Sequence, residues 1–552
     1  MTEVGGPPGG AAGVGRATQT MAIGTVASRA TGFLRSIALV YVLGVQLVPD
    51  AYNAANTLPN MVYELLLGGI LTSVFVPLIV AAQRTDDDAG EAYTQRLLTL
   101  TVLVLAAATA LAILAAPLLV GLQGFSPARP HAHGLAVTLA RLLLPEILFY
   151  GLGAALAAVL NTRGHFARPM WAPVVNNLVV LATCGIFVAL PGPSRLTPAT
   201  ITMTQVLVLG IGTTLGIVAQ AATLWPALRR VDFHWRWRFD LRHARLGEAG
   251  RLAAWMIGYV AISQVGVVVV QRLAVLTSQA HPGAPGLTVL VNAQLLFMLP
   301  HGVVAVSLIT ALLPRMSRAA VDGRPREVAG DLSLGTRLSS VVLVPVTAGF
   351  LVLGPALGIV LYSYGRSSPR AGHDIGLALA AGALGLLPYA VSQLQIFAFY
   401  ALRDTRTPAL VNLAVVAAKV GVDLVLYRTL PAGHLVEGLM WGNTVSYLVA
   451  VVLSGWLLGR RLGGLDSARV ARTAVRLGLA ASCGGLGALA VTWAVHRGLG
   501  AGGAGVGSSA VELGAGALVG GGAYLAVALR LRVSEVRDVV GTARLRLGRS
   551  PG

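Results

Sequence analysis

Fourteen apolar stretches, each about 20 residues or longer, run through this chain between short polar loops. They predict helices near 18–44, 51–82, 93–120, 134–160, 169–190, 200–228 and 247–277, then near 287–314, 333–362, 374–401, 408–430, 434–459, 469–496 and 510–531. The first is not apolar all round. At about 100° per residue, Thr25, Ser28, Arg29, Thr31, Gly32, Arg35 and Ser36 fall within an arc of roughly 160°, opposite Val26, Ala27, Ala30, Phe33, Leu34 and Ile37. One charge at membrane depth costs about 2.5–3.5 kcal/mol on insertion scales. Arg29 and Arg35 on one face therefore imply a protein-lined, hydrated chamber that receives something anionic.

The second stretch carries its own polar stripe. Asp50, Asn53, Thr57, Asn60 and Glu64 follow 3–4 spacing, and Pro59 predicts a kink among them. Turned toward the first helix, this stripe would offer acceptors to Arg29 and Arg35. Arginine's planar fork suits phosphate oxygens, so a pyrophosphate is a fitting cargo group. In the fourth stretch Glu146 follows Pro145 and is expected to neutralise Arg141. In the eleventh, Lys419 and Asp423 stand four apart, an opposite pair that neutralises itself within a span and forms a candidate coupling contact.

Composition narrows the class. The 552 residues are 55% hydrophobic and 11% charged, with a mean hydropathy of +0.74, so an integral membrane protein is expected. The net charge of +19 is a matter of location: about 30 of the 41 basic residues fall in the tails and alternate loops on one side, which places both termini in the cytoplasm. Seven arginines lie between 229 and 251, interleaved with aromatics from Phe233 to Phe239; beside a span this reads as an interfacial anchor on membrane lipids, and no nucleic acid partner is expected. Lys419 is the sole lysine, which excludes a phosphate-loop GxxxxGK[ST] motif. No cofactor, no metal-ligand cluster and no catalytic motif is expected, and Cys184 and Cys483 read as small packing residues.

Two halves echo each other. Arg168-x4-Pro173-x3-Asn177-Leu178 returns as Arg403-x4-Pro408-x3-Asn412-Leu413, 235 residues on. The fold class expected is an all-α integral membrane protein of about 14 transmembrane helices: two six-helix lobes related by a parallel pseudo-repeat, plus a C-terminal helix pair. The expected divisions are a disordered cytoplasmic tail (1–17), a first lobe (18–228), a basic cytoplasmic loop (229–246), a second lobe (247–459), the final pair (460–532) and a cytoplasmic tail (533–552).

Ser28-Arg29-Ala30-Thr31-Gly32-Phe33-Leu34-Arg35, followed by Asp50-Ala51, Leu58-Pro59-Asn60 and Phe75-Val76-Pro77, resembles the start of the MurJ/MviN family. Asn161-Thr162-Arg163 with Pro173, and Arg403 to Pro408, resemble its loops. The resemblance implies fourteen helices, two lobes around a cationic cavity and a final pair forming a groove for a lipid tail. It implies a flippase for lipid II, the undecaprenyl-pyrophosphate-linked peptidoglycan precursor, in the bacterial cytoplasmic membrane, with Arg29, Arg35 and Asp50 at positions needed for flipping. Two family arginines are replaced here, by Tyr63 and Leu295. A sodium site of some members finds only Asn412 as a match, and Lys419 would stand as a tethered cation in its place.

The expected function is thus outward flipping of lipid II, or a related polyprenyl-pyrophosphate glycolipid, by alternating access and without bond chemistry. The expected cargo-binding set is Arg29, Arg35, Asp50, Asn53, Asn60 and Glu64. The alternatives are export of another lipid-linked glycan or of a drug, a membrane glycosyltransferase, and a non-transporting scaffold for cell-wall synthesis proteins. A cationic drug would be repelled by Arg29 and Arg35, and the outer loops carry few carboxylates for a transferase.

Overall fold

A computed structural model describes residues 11–68, 75–86, 88, 90–193, 195–231, 233–240, 247–499 and 505–537, and the regular structure among them is helical throughout. Thirteen helical runs among the described residues are long and apolar enough to cross a membrane. The predicted second stretch accounts for the difference, because it is interrupted. It begins as an α-helix, widens into a π-helical segment at Glu64–Gly68 and resumes at Val76, with 69–74 outside the described residues. The helix passes Pro59 without ending, and the break comes five residues later. Apolar side chains such as Leu114 (78% exposed) and Leu518 (79% exposed) stand on helix exteriors that only lipid could solvate without penalty.

The chain divides into two compact units, Met1–Val42 with Leu47–Val260, and Leu43–Gln46 with Ala261–Gly552. In chain order the first unit holds α1 (Ala11–Leu43), α2 (Leu47–Tyr63), α3 (Val76–Thr85), α4 (Glu91–Leu114), α5 (Ala116–Leu122), α6 (Pro130–Leu143), α7 (Glu146–Thr162), α8 (Ala167–Ala189), α9 (Met203–Ala222) and α10 (Trp225–Arg230). Helix α11 (Gly247–Ala280) carries the chain into the second unit. That unit continues with α12 (Leu287–Val321), α13 (Pro325–Tyr362), α14 (Pro369–Gly382), α15 (Leu386–Ala401), α16 (Arg406–Thr429), α17 (Leu435–Leu462), α18 (Ser467–Leu499) and α19 (Val506–Arg530).

The echo between the halves extends to helix lengths and breaks. The fourth span, Pro130–Thr162, and the tenth, Pro369–Ala401, are each 33 residues long, and each starts on a proline. Each is broken near its middle, at Leu144–Pro145 between α6 and α7 and at a 3-10 turn, Ala383–Gly385, between α14 and α15. Asn177 of α8 donates to Ser28 O (3.2 Å) and Thr31 Oγ1 (3.0 Å) of α1. Its counterpart, Asn412 of α16, donates to Ser263 Oγ of α11 (2.9 Å). The repeated asparagine thus ties the fifth helix of each unit to the first, which is the use interhelical polar groups find in lipid.

In the second unit α13 packs on α14, α18 and α19, and α18 packs on α19. Gly354-x3-Gly358 of α13 faces Gly372-x3-Gly376 of α14 so closely that a Cβ at Gly358 would lie 2.1 Å from Gly372 O. Gly484 and Gly520 make the same approach between α18 and α19, where a Cβ on either would lie 2.7 Å or 2.8 Å from the other's carbonyl oxygen. Between α1 and α2 the turn uses Gly44 at φ +76°, where a side chain would be strained and would also crowd Arg366 O.

Two expectations, about the first residues and about one cysteine, need correction. Helix α1 already begins at Ala11, so 11–17 is not a disordered tail; past Pro7-Pro8-Gly9-Gly10 the chain meets Ala11 and Ala12, strong helix formers. Residues 1–10 lie outside the described residues. At the other end 534–537 form a helical turn: Val533 and Val536 are buried with Val341, Leu477 and Tyr524, and Glu535 pairs with Arg337. Cys184 is buried as a packing residue, but Cys483 is exposed on α18, where lipid accepts a small apolar side chain as readily as a core does.

Candidate functional site

Arg35 is half-buried on α1. Its guanidinium lies against the Tyr52 hydroxyl of α2, with Tyr150 and Glu146 of α7 within electrostatic reach. Tyr52 is 1% exposed, and its Oη lies 3.0 Å from Thr213 Oγ1 of α9. Glu146 opens α7 directly after the break. Pro145 supplies no amide donor, so Ile147 N and Leu148 N bond three residues back, to Leu144 O and Pro145 O, and the helix restarts around them. Leu142 O, freed by the break, accepts from Thr214 Oγ1 at 2.7 Å, and the same hydroxyl lies 3.4 Å from Glu146 Oε1. Two consecutive threonines of α9 thus hold Tyr52 and Glu146, and Tyr150 stacks on Tyr63 with ring centroids 6.0 Å apart.

This changes the sequence reading in two places. The charge whose field reaches Glu146 is that of Arg35, and Arg141 is exposed. Arg35 meets Tyr52, two residues after Asp50 and off the polar stripe. Of the stripe itself, Asp50 is fully buried, Asn53 is half-buried, and Thr57 Oγ1 donates to Asn53 O at 2.8 Å. Asn60 is exposed and donates to Glu64 Oε1 at 3.1 Å, where the π-helical segment begins. Arg29 is exposed on α1, two turns before Arg35, with no ion pair among the described residues. Tyr63 closes the side of the Arg35 cluster through Tyr150, whereas Leu295 is half-buried on α12. Tyr52, Thr213 and Thr214 were invisible to periodicity, because nothing in a single span announces which neighbour it meets.

The second unit holds a compact polar contact inside its spans. Lys419 Nζ lies 3.3 Å from Asp423 Oδ2 on α16 and donates to Asn443 Oδ1 of α17. Asp423 is fully buried, and Gly442 makes the room: a Cβ there would lie 1.9 Å from Asp423 Oδ1. Asn412, the sodium-site match, spends its amide on Ser263, and no group of three or more metal-ligating side chains occurs among the described residues.

At the edge of the first unit, 233–240 runs extended along α4. Gln95 Nε2 donates to His234 O (2.6 Å), Arg238 Nε to Gln95 Oε1 (2.8 Å) and Arg238 N to Thr99 Oγ1 (3.2 Å). Alternate residues form a row in which Trp235 and Trp237 are 4.9 Å apart and Trp237 stacks on Phe239 at 6.3 Å. Residues 241–246 of that basic loop lie outside the described residues.

A family model described as Lipid II flippase MurJ matches residues 39–505. A probable lipid II flippase MurJ of Rhizobium meliloti (strain 1021) is 27% identical over 446 residues, 78% of this chain and 79% of that protein. A lipid II flippase MurJ of Burkholderia cenocepacia is 27% identical over 410 residues, 72% of this chain and 76% of that protein. Among solved structures, a lipid II flippase MurJ in an inward closed conformation superposes with a TM-score of 0.72 at 18% identity, covering 94% of this chain and 99% of that one. An inward-facing multidrug resistance transporter of the MATE family gives 0.60 at 15% identity, covering 78% and 94%.

Proposed function

This chain belongs to the Lipid II flippase MurJ family, and on that premise we propose that it carries lipid II across the bacterial cytoplasmic membrane by alternating access, for peptidoglycan synthesis. The cargo is moved and not cleaved. Its diphosphate is received by Arg29 and Arg35, while the prenyl chain stays in lipid along α18 and α19. The observation that supports this reading most is the pair of arginines on one face of α1, one exposed and one half-buried against a hydroxyl. Cations at such depth are retained where an anion must pass, and guanidinium groups grip phosphate oxygens two at a time. Asp50, Asn53, Asn60 and Glu64 stand on the neighbouring helix, where they are offered to the sugar-peptide head. Both termini face the cytoplasm, as the basic loops require.

Arg29→Ala and Arg35→Ala are each expected to abolish rescue of a flippase-depleted strain, with the variant still present in the membrane. Lysine at either position should rescue only in part, because a point charge lacks the bidentate fork. Full rescue by both alanine variants at matched expression overturns the diphosphate-binding role. Loss of two family arginines to Tyr63 and Leu295 favours one second reading, transport of another polyprenyl-pyrophosphate glycan. Purified protein in vesicles that flips such a glycolipid but leaves lipid II in place would establish it.

A further inference from the structure

A fully buried carboxylate inside a membrane span needs a reason. Glu146 is 0% exposed; Oε1 has only the Thr214 hydroxyl at 3.4 Å, and Oε2 has no hydrogen-bond partner. Its sequence neighbour Arg141 is exposed, and the cation whose field reaches it is Arg35. Yet the two do not touch: no nitrogen–oxygen contact within 4.0 Å joins them among the described residues. Arg35 rests on Tyr52, Tyr52 on Thr213, and Glu146 on Thr214, so adjacent residues of α9 hold the two charges at a fixed separation. A direct pair would occupy the fork of the guanidinium. The arrangement here sets a carboxyl group within reach of Arg35's field and leaves the guanidinium without a contact ion pair.

We propose that Glu146 is the resident counter-anion of Arg35, compensating its charge while the site is empty and giving way when the cargo's diphosphate arrives. The inference rests on the reading that Arg35 receives that diphosphate. An arginine without any anion would be costly to keep at this depth, and one locked in a contact ion pair would not release it. A carboxylate held one shell away serves both halves of a cycle: it lowers the cost of the empty state and competes with the diphosphate, which speeds release. The broken fourth span is what makes this placement available. Pro145 ends α6, and the restart aims the first side chain of α7 toward Arg35 instead of toward lipid. Glu146 is a positioning residue in this scheme, since it acts on cargo through Arg35.

Purified protein should be compared with Glu146→Gln and Glu146→Asp for inorganic pyrophosphate binding, and in vesicles for the KM and kcat of lipid II flipping. Glu146→Gln, which keeps the shape and loses the charge, is expected to bind pyrophosphate about 5-fold or more tightly, a coupling of ordinary size between two ligands of one group. KM and kcat should fall together, as they do when a variant relieves competition in the ground state and slows release. Glu146→Asp keeps the charge but withdraws it by one methylene, and its affinity should fall between the two. A residue that only packed the helix break would raise no affinity. If neither variant binds pyrophosphate more tightly than the parent protein, the counter-anion role is wrong, and the Asp variant decides if the Gln variant does not fold. Arg35→Ala separates this from the underlying reading: undiminished pyrophosphate binding without Arg35 would bring down the assignment of the diphosphate itself.

Discussion

At Gly442 any side chain would collide with Asp423, so α17 passes the buried carboxylate only because that position is glycine. The lysine, the aspartate and Asn443 then form one small polar island in an apolar unit. Removing one member of a buried charge pair leaves the other uncompensated, which typically costs about 3–5 kcal/mol. Lys419→Met and Asp423→Asn should therefore each lower thermal stability and flipping more than Lys419→Met with Asp423→Leu. Gly442→Ala should cost about 1–3 kcal/mol by overpacking, with both charges intact. A double-mutant cycle on purified protein tests the pair; strictly additive effects of the two substitutions on Tm and on flipping would show that they are uncoupled. Periodicity placed Lys419 and Asp423 one turn apart on a helix, a local relation. Asn443 and Gly442 lie on another helix, and no local pattern could supply them.

Between elements, the short connection ahead of α16 is tied by side-chain contacts. Asp404 accepts from the Thr407 amide (2.9 Å) and hydroxyl and pairs with Arg461 at the end of α17. Partial burial pushes the Asp404 carboxyl up, but the Thr407 bonds and the Arg461 charge outweigh it and hold the group below its ordinary range. A depressed acid stabilises the fold above its unfolded pKa, about 3.9, and that contribution is lost as pH falls through the lower folded value. Asp404→Asn should lower Tm at neutral pH, and the gap from the parent protein should close as the solution becomes more acid than about pH 4. A gap that stays constant across that range would mean that the carboxylate's charge contributes nothing. Helix positions were legible throughout this chain, because lipid demands long apolar runs and loops are short. Breaks were less so. Pro145 stands at one and Pro388 follows another, the 3-10 turn at Ala383–Gly385, where its missing N–H leaves Leu384 O without a helical donor; both lay inside stretches read as single helices, and the π-helical segment follows Pro59 instead of coinciding with it. The asparagine motif also stands one turn earlier in α16 than in α8, a slip that spacing within the motif conceals.

For the whole molecule the first question is which side faces which. Cysteines placed in 229–246 and 460–468, in a background lacking Cys184 and Cys483, should resist an impermeant thiol reagent in intact cells. Those in 191–198 and 278–286 should be labelled. Labelling of 229–246 from outside would invert the assignment. The pairing of unlike parts within one unit was beyond the sequence for a physical reason: two glycine pairs on facing helices look, one at a time, like ordinary small residues in a glycine-rich chain.

Those facing glycines have a mechanical consequence. With carbonyl oxygens where side chains would normally stand, α13 and α14 interlock like two toothed racks, and so do α18 and α19. A displacement along the axis of less than a full turn would drive Pro355 or Ala380 into the backbone opposite. Sliding by less than a turn within the α13–α14 pair is resisted, and that pair is expected to move as a single beam. Bending is left to the places where backbone bonding is already irregular, and Ala383–Gly385, at the end of α14, is one such joint. A load applied to α15 would turn about that joint and leave the α13–α14 beam straight.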